Sequence, residues 1–217
     1  MNYNELIAHL ENDTSIDELN KRRDEVALII PQVRVMFDYD QNNRAHQYDL
    51  WIHSLHVAVG LPRTHDVAVS AGKTGADHML YLAALLHDIG KPESAFTRDS
   101  DPYTHFTGHP LVSRRIVEKE VIPALKEQGV VLGCDDIRRL LYYVEYHDDH
   151  ISENTEHLKR HLKMASFEEF RSLMQLQIAD AKAHVMIPVI EEKLRICGMW
   201  AGEYGLEKYE SLKGNKS

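Results

Sequence analysis

The sequence predicts an all-α fold, a helical bundle with polar residues set into its core. Apolar side chains recur at three and four positions along most of the chain, and alternating extended stretches are scarce. Helix start and stop signals punctuate this pattern, and 14 histidines stand among 217 residues, several inside apolar stretches.

Residues 3–11 and 16–36 read as an N-terminal helical pair, with Thr14 or Ser15 capping the second and Pro31 kinking or breaking it. The polar segment FDYDQNNRAHQ leads into a helix near 47–60, stopped by Gly60 and Pro62. Residues 64–77 read as a glycine-bearing loop. Their Gly-Lys-Thr triplet lacks the upstream glycine and the preceding strand that a phosphate loop requires. A helix over 77–89 meets Gly90, placed as its C′ residue, and then Pro92. A loop around Asp99, Asp101 and Pro102 precedes helices near 109–128, 134–147, 154–163, 167–184 and 187–200. From about Leu206 the chain is charged, weakly patterned and expected to be loose. The division is a helical cap at 1–45, a main domain at 46–200 and a tail at 201–217.

A formal charge of −9 argues against a strong grip on duplex nucleic acid, which needs clustered cations. It leaves room for a small phosphorylated ligand, because a metal ion supplies positive charge. Cys134 and Cys197 form neither a disulfide framework nor a C-x-x-C pair, so a reducing, cytoplasmic setting is expected. No apolar stretch approaches the roughly 18–20 residues of a membrane span, and the N-terminus lacks signal-peptide character.

The chemistry concentrates at His87-Asp88, directly after the apolar run LAALL. A carboxylate on such a face needs a partner or a metal ion. Adjacent helical residues diverge by about 100°, so both reach one ion only from its two flanks. A structural His-Asp hydrogen bond is the alternative. His53, His109, His147 and Asp180 also sit on or beside apolar helical stretches, each on a separate helix or at its edge. Helix bundles build metal sites in this way, one inward polar residue per helix. Imidazole with carboxylate suits Mn, Fe, Co, Ni, Zn or Mg, one or two ions per chain, without selecting one.

In that order, His53, His87-Asp88 and Asp180 resemble the H…HD…D signature of the HD superfamily of metal-dependent phosphohydrolases, over residues 46–185. HQYDLWIHSL, LAALLHDIGKP, HFTGHPLVS and LQIADAKAH further resemble the HD domain attached to bacterial tRNA nucleotidyltransferases, here standing alone. The resemblance implies an HD-domain bundle at 46–200 in which His53, His87, Asp88 and Asp180 bind one ion and His109 and His147 a second. It implies hydrolysis of a phosphoester or phosphoanhydride bond in a nucleotide or small phosphorylated compound, with phosphomonoesters and 2′,3′-cyclic phosphodiesters favoured. A non-catalytic, metal-dependent nucleotide or phosphate-binding module is the alternative.

Asp88 then serves as ligand and proton acceptor, Lys91 meets a substrate phosphate, and His109 stands among the catalytic groups, with His105 on the substrate side. Lys91 reads equally as a cation on the negative end of a helix. His56 shares the face of His53, leaving the choice between them open. His46 approaches the pocket in the resembling proteins, or belongs to a helix N-cap region. Asp148, Asp149 and His150 read as a solvated helix end or an outer metal shell. Tyr142, Tyr143 and Tyr146 read as packing residues, and His157 and His161 as surface residues. A homodimer is compatible with this reading.

Overall fold

The computed structural model describes residues 1–12, 14–62 and 77–214. The loop expected over 64–77 and its Gly-Lys-Thr triplet therefore lie outside the described residues, except for Asp77.

Helix α1 (Tyr3–Glu11) opens with a reciprocal cap, Asn2 accepting from the Glu5 amide at 3.0 Å and Glu5 from the Asn2 amide at 2.9 Å. The run expected over 16–36 is divided into α2 (Ile16–Lys21), α3 (Arg23–Ile29) and a 3-10 turn over Pro31–Met36. Pro31 offers no backbone N–H and drives Ile30 out of the helical region, to φ −126° and ψ 84°. Helix α4 (Leu50–Val59) starts at Asp49, whose carboxylate accepts from the Ile52 amide at 2.9 Å.

Helix α5 (His78–Leu86) is the central element. Every residue from Met79 to Leu86 is buried, as expected of a helix apolar on all sides. Around it pack α1, α4, α9 (Cys134–Tyr146) and α11 (Phe167–Lys182). One core joins Leu6, Leu10 and Ile30 of the N-terminal segment with Leu82, Phe170 and Trp200.

After Leu86 the chain turns through His87-Asp88-Ile89-Gly90 into the short helix α6 (Lys91–Ser94). Gly90 is not the left-handed C′ residue expected, since its φ is −84°. Its reason is a close approach: a Cβ there would lie 2.4 Å from the Ser113 amide nitrogen and 2.9 Å from the His109 carbonyl oxygen. Gly90 thus lets α6 dock on α7 (His109–Ile116), which carries His109.

The expected loop between α6 and α7 contains an antiparallel hairpin, β1 (Phe96–Arg98) and β2 (Asp101–His105), pairing Phe96 with His105 and Thr97 with Thr104. Its strands are exposed or half-exposed, so no alternating apolar pattern announces them. The run expected over 109–128 is interrupted by a π turn at Val117–Val121 before α8 (Ile122–Glu127). Pro123 cannot donate to the carbonyl four residues back, and the wider turn accommodates it.

Helix α10 (Thr155–His161) follows α9, and α12 (Pro188–Ala201) lies against α11. The segment expected to be loose forms α13 (Glu203–Gly214). Tyr209 stacks on Phe167 at 4.2 Å, and Gly205 admits the Trp200 carbonyl so closely that a Cβ would meet it at 2.0 Å. Tyr204, Tyr209 and Leu212 supply a stripe too sparse to read from the sequence.

Gly90→Ala is expected to destabilise the protein by about 1–3 kcal/mol, because backbone rather than a flexible side chain meets the new methyl. Urea denaturation of the two proteins measures this directly.

Candidate metal centre

Five segments converge on one buried carboxylate. His53 comes from α4, His87 and Asp88 from the turn after α5, His109 from the first position of α7, His147 from the end of α9, and Asp180 from the last turns of α11. Asp88 is 1% exposed. Its Oδ2 lies 2.7 Å from Lys91 Nζ, 3.0 Å from His87 Nε2 and 3.5 Å from His53 Nε2. Its Oδ1 lies 3.0 Å from His109 Nε2 and 3.4 Å from His147 Nε2. Asp180 Oδ1 stands 3.2 Å from His53 Nε2 and 3.8 Å from His87 Nε2, while Lys193 Nζ donates to Asp180 Oδ2 at 3.1 Å.

Local backbone sets the imidazoles. His87, His109 and His147 each bring Nδ1 to the carbonyl three residues back, at 2.8 Å to Ala84, 2.9 Å to Phe106 and 2.8 Å to Val144. A carbonyl accepts only, so these contacts assign the proton to Nδ1 and leave the Nε2 lone pairs facing inward. Neutral imidazoles thereby face a carboxylate with acceptor against acceptor, and the His109 and His147 Nε2 atoms are 3.1 Å apart. Nε2 of His87 and Oδ1 of Asp88 are buried without a hydrogen-bond partner, and so are both ring nitrogens of His53, of which one carries the lone pair. Several such atoms in one cluster need a cation among them, since lone pairs buried together are costly. The residues fit a divalent metal: His53, His87 and Asp180 form one donor group and His87, Asp88 and His147 another.

The electrostatics agree for His53 and His147, whereas in the metal-free centre His87 is drawn towards its charged form. Burial lowers the His53 imidazole to about 4 and lowers His147 as well, which keeps both neutral. Burial opposes charge on His87 too, yet Asp88 and Asp180 outweigh it and raise that imidazole. Burial likewise opposes charge on the carboxyls, but His87 and Lys91 hold Asp88, and Lys193 and His184 hold Asp180, well below the usual range.

Lys91 does not close a helix end; it opens α6, is 4% exposed, and donates to Gln41 Oε1 at 2.8 Å as well as to Asp88. His56 stacks on Tyr48 at 4.0 Å, away from the cluster that His53 enters. His105 belongs to the hairpin, paired with Asp101 at 3.0 Å and stacked on Phe96, and does not line the cavity. His161 is not on the surface: it is fully buried, 2.9 Å from the Tyr142 hydroxyl and 3.1 Å from Asp149. Asp149 also pairs with Arg160, whereas Asp148 lines the cavity and pairs with Lys193.

Three participants escape the sequence reading. His184, four residues beyond Asp180, approaches His46 at a ring distance of 4.5 Å. Gln41 is buried and orients Lys91. Lys193 stands in register with Cys197 and Trp200 on the buried stripe of α12, where a lysine among apolar neighbours was the available signal. The cavity above the cluster is about 280 Å³ and is lined by His46, Asp88, Lys91, Phe106, His109 and His184, among others. A second, open cavity of about 510 Å³ beside Arg44, Tyr48 and Tyr103 shares His46 with it.

Among known protein families, the HD domain matches residues 50–182. No curated protein and no solved structure matches the chain.

Asp88 and Asp180 titrate below the usual range in the folded chain, so their stabilisation is complete above the ordinary carboxylate pKa and is lost as pH falls below about 4. Urea titrations of metal-free protein between about pH 6 and pH 3 are expected to show that loss, and Asp180→Asn a shallower one.

Proposed function

The chain belongs to the HD domain family, a superfamily of metal-dependent phosphohydrolases, and on that premise we propose that it hydrolyses a nucleotide or small phosphorylated compound. Phosphomonoesters and 2′,3′-cyclic phosphodiesters are the favoured substrates. What supports them is the further resemblance of HQYDLWIHSL, HFTGHPLVS and LQIADAKAH to the HD domains attached to tRNA nucleotidyltransferases. Residues 46–200 carry the activity, and residues 1–45 form its helical cap.

The observation that carries this reading is the convergence of inward, proton-free Nε2 atoms and Asp88 Oδ1 at the floor of a cavity reached by Lys91. His53, His87, Asp88 and Asp180 hold one divalent ion, and His109 and His147 a second, from among Mn, Fe, Co, Ni, Zn and Mg. Such ions supply positive charge and Lewis acidity towards a phosphoryl oxygen and an attacking water.

The protein groups divide the remaining work. Asp88 and Asp180 are balanced by Lys91 and Lys193, so the metal-free centre has little surplus charge to attract a phosphate. Lys91 Nζ is held by Asp88 Oδ2 and Gln41 Oε1, and its third proton, 3.4 Å from His46 Nε2, turns to a phosphoryl oxygen when substrate enters. Asp88 Oδ1 has no donor and accepts a proton from the attacking water. His109 keeps its Nδ1 proton on the Phe106 carbonyl, which aims Nε2 at Asp88 Oδ1 and the place of the second ion. The larger cavity beyond His46 receives the rest of the substrate.

Protein purified without a histidine tag or added metal is expected to contain at least one equivalent of metal by elemental analysis. Asp180→Ala should lose it, and His147→Ala only a second equivalent. In a screen of phosphomonoesters, 2′,3′-cyclic phosphodiesters and dinucleoside polyphosphates, His87→Ala should lower hydrolysis at least about 100-fold. Metal uptake without turnover would make the protein a binding module; no uptake at all would end the metal reading.

A further inference from the structure

Lys193 lies on α12, outside the residues matched to the family. Its ammonium sits between two carboxylates, 3.1 Å from Asp180 Oδ2 and 3.3 Å from Asp148 Oδ1. Asp180 is 4% exposed, and its other oxygen, Oδ1, faces His53 and His87. The two oxygens therefore have separate surroundings: Oδ1 looks into the centre, and Oδ2 looks back at α12.

We propose that Lys193 is a positioning residue of the metal centre, which holds Asp180 Oδ2 so that Oδ1 alone is presented to the ion. This rests on Asp180 being a metal ligand, as the proposed function has it. A carboxylate on a single-bonded side chain rotates, and a buried one without a donor on its outer oxygen turns that oxygen towards the nearest cation. The donor from Lys193 removes that freedom. Asp148 fixes the ammonium from its far side, so the lysine is itself held rather than swinging on its stem.

The same face of α12 braces the opposite wall. One turn after Lys193, Cys197 Sγ donates to Gln177 Oε1 at 3.2 Å. Gln177 Nε2 in turn donates to the carbonyls of Tyr146 at 3.0 Å and Asp149 at 3.1 Å, which bracket His147. Helix α12 thus supports donors on α9 and α11 together, and Lys193 is its direct contact with one of them.

The test is Mn²⁺ binding to the full-length, metal-stripped protein by equilibrium dialysis, with thermal unfolding run alongside. Lys193→Met keeps the stem and loses the donor and charge; it is expected to fold and to bind Mn²⁺ about 10–100-fold more weakly. Lys193→Arg keeps both and is expected to restore most of that loss. Should Lys193→Met fail to fold, Lys193→Leu, which likewise has neither donor nor charge, provides the same comparison. Parental Mn²⁺ affinity in the Met variant, or equal losses with Met and Arg, overturns the inference while Asp180→Asn still abolishes binding. If Asp180→Asn binds like the parent, the reading of Asp180 as a ligand fails first.

Discussion

The structure depends on the need of one buried carboxylate, Asp88, for partners. With 1% of its surface in water, it cannot remain charged without compensating groups, and the chain brings them from four directions. Lys91 arrives three residues later in sequence, His87 from the preceding position, and His53, His109 and His147 from α4, α7 and α9. Helices α4, α7 and α9 thus share one polar partner in the core, beside direct polar contacts such as Arg114 with Glu145 and His53 with Asp180.

Charge balance decides what such a cluster can do. Two carboxylates against two ammonium groups leave the protein's own centre close to neutral, while the His53 and His147 imidazoles, held neutral by burial, add lone pairs without charge. A divalent cation both relieves the facing lone pairs and gives the cavity the positive charge that a phosphate requires. Under the proposed function, affinity for the anion is tied to occupancy by the cation, within a protein whose net charge is −9.

Around the donors runs a second set of residues that determines where they point. The carbonyls of Ala84, Phe106 and Val144 fix three imidazoles, Gln41 and Asp88 share Lys91, and Lys193 and Gln177 reach inward from or beneath α12. The close approach at Gly90 belongs to the same set, because it lets α7 bring His109 to Asp88. The carbonyls and Lys91 act at a local spacing of three residues, whereas Gln41, Gln177 and Lys193 act between distant segments and leave no recognisable spacing.

The sequence by itself determined the helical class, the position of most helices and the set His53, His87, Asp88, His109, His147 and Asp180 as inward polar residues. It did so because burial leaves a periodic trace, and a polar residue on an apolar stripe departs visibly from it. Only the tertiary structure decided that His53 rather than His56 meets Asp88, that Lys91 turns inward, that His161 is buried on Tyr142 and Asp149, and that His184 and Lys193 stand at Asp180. Two residues on one helical face are equivalent in a pattern and differ only through what packs opposite them. The hairpin at 96–105 and helix α13 were hidden for a related reason, since their few or exposed apolar residues gain order from contacts elsewhere in the chain.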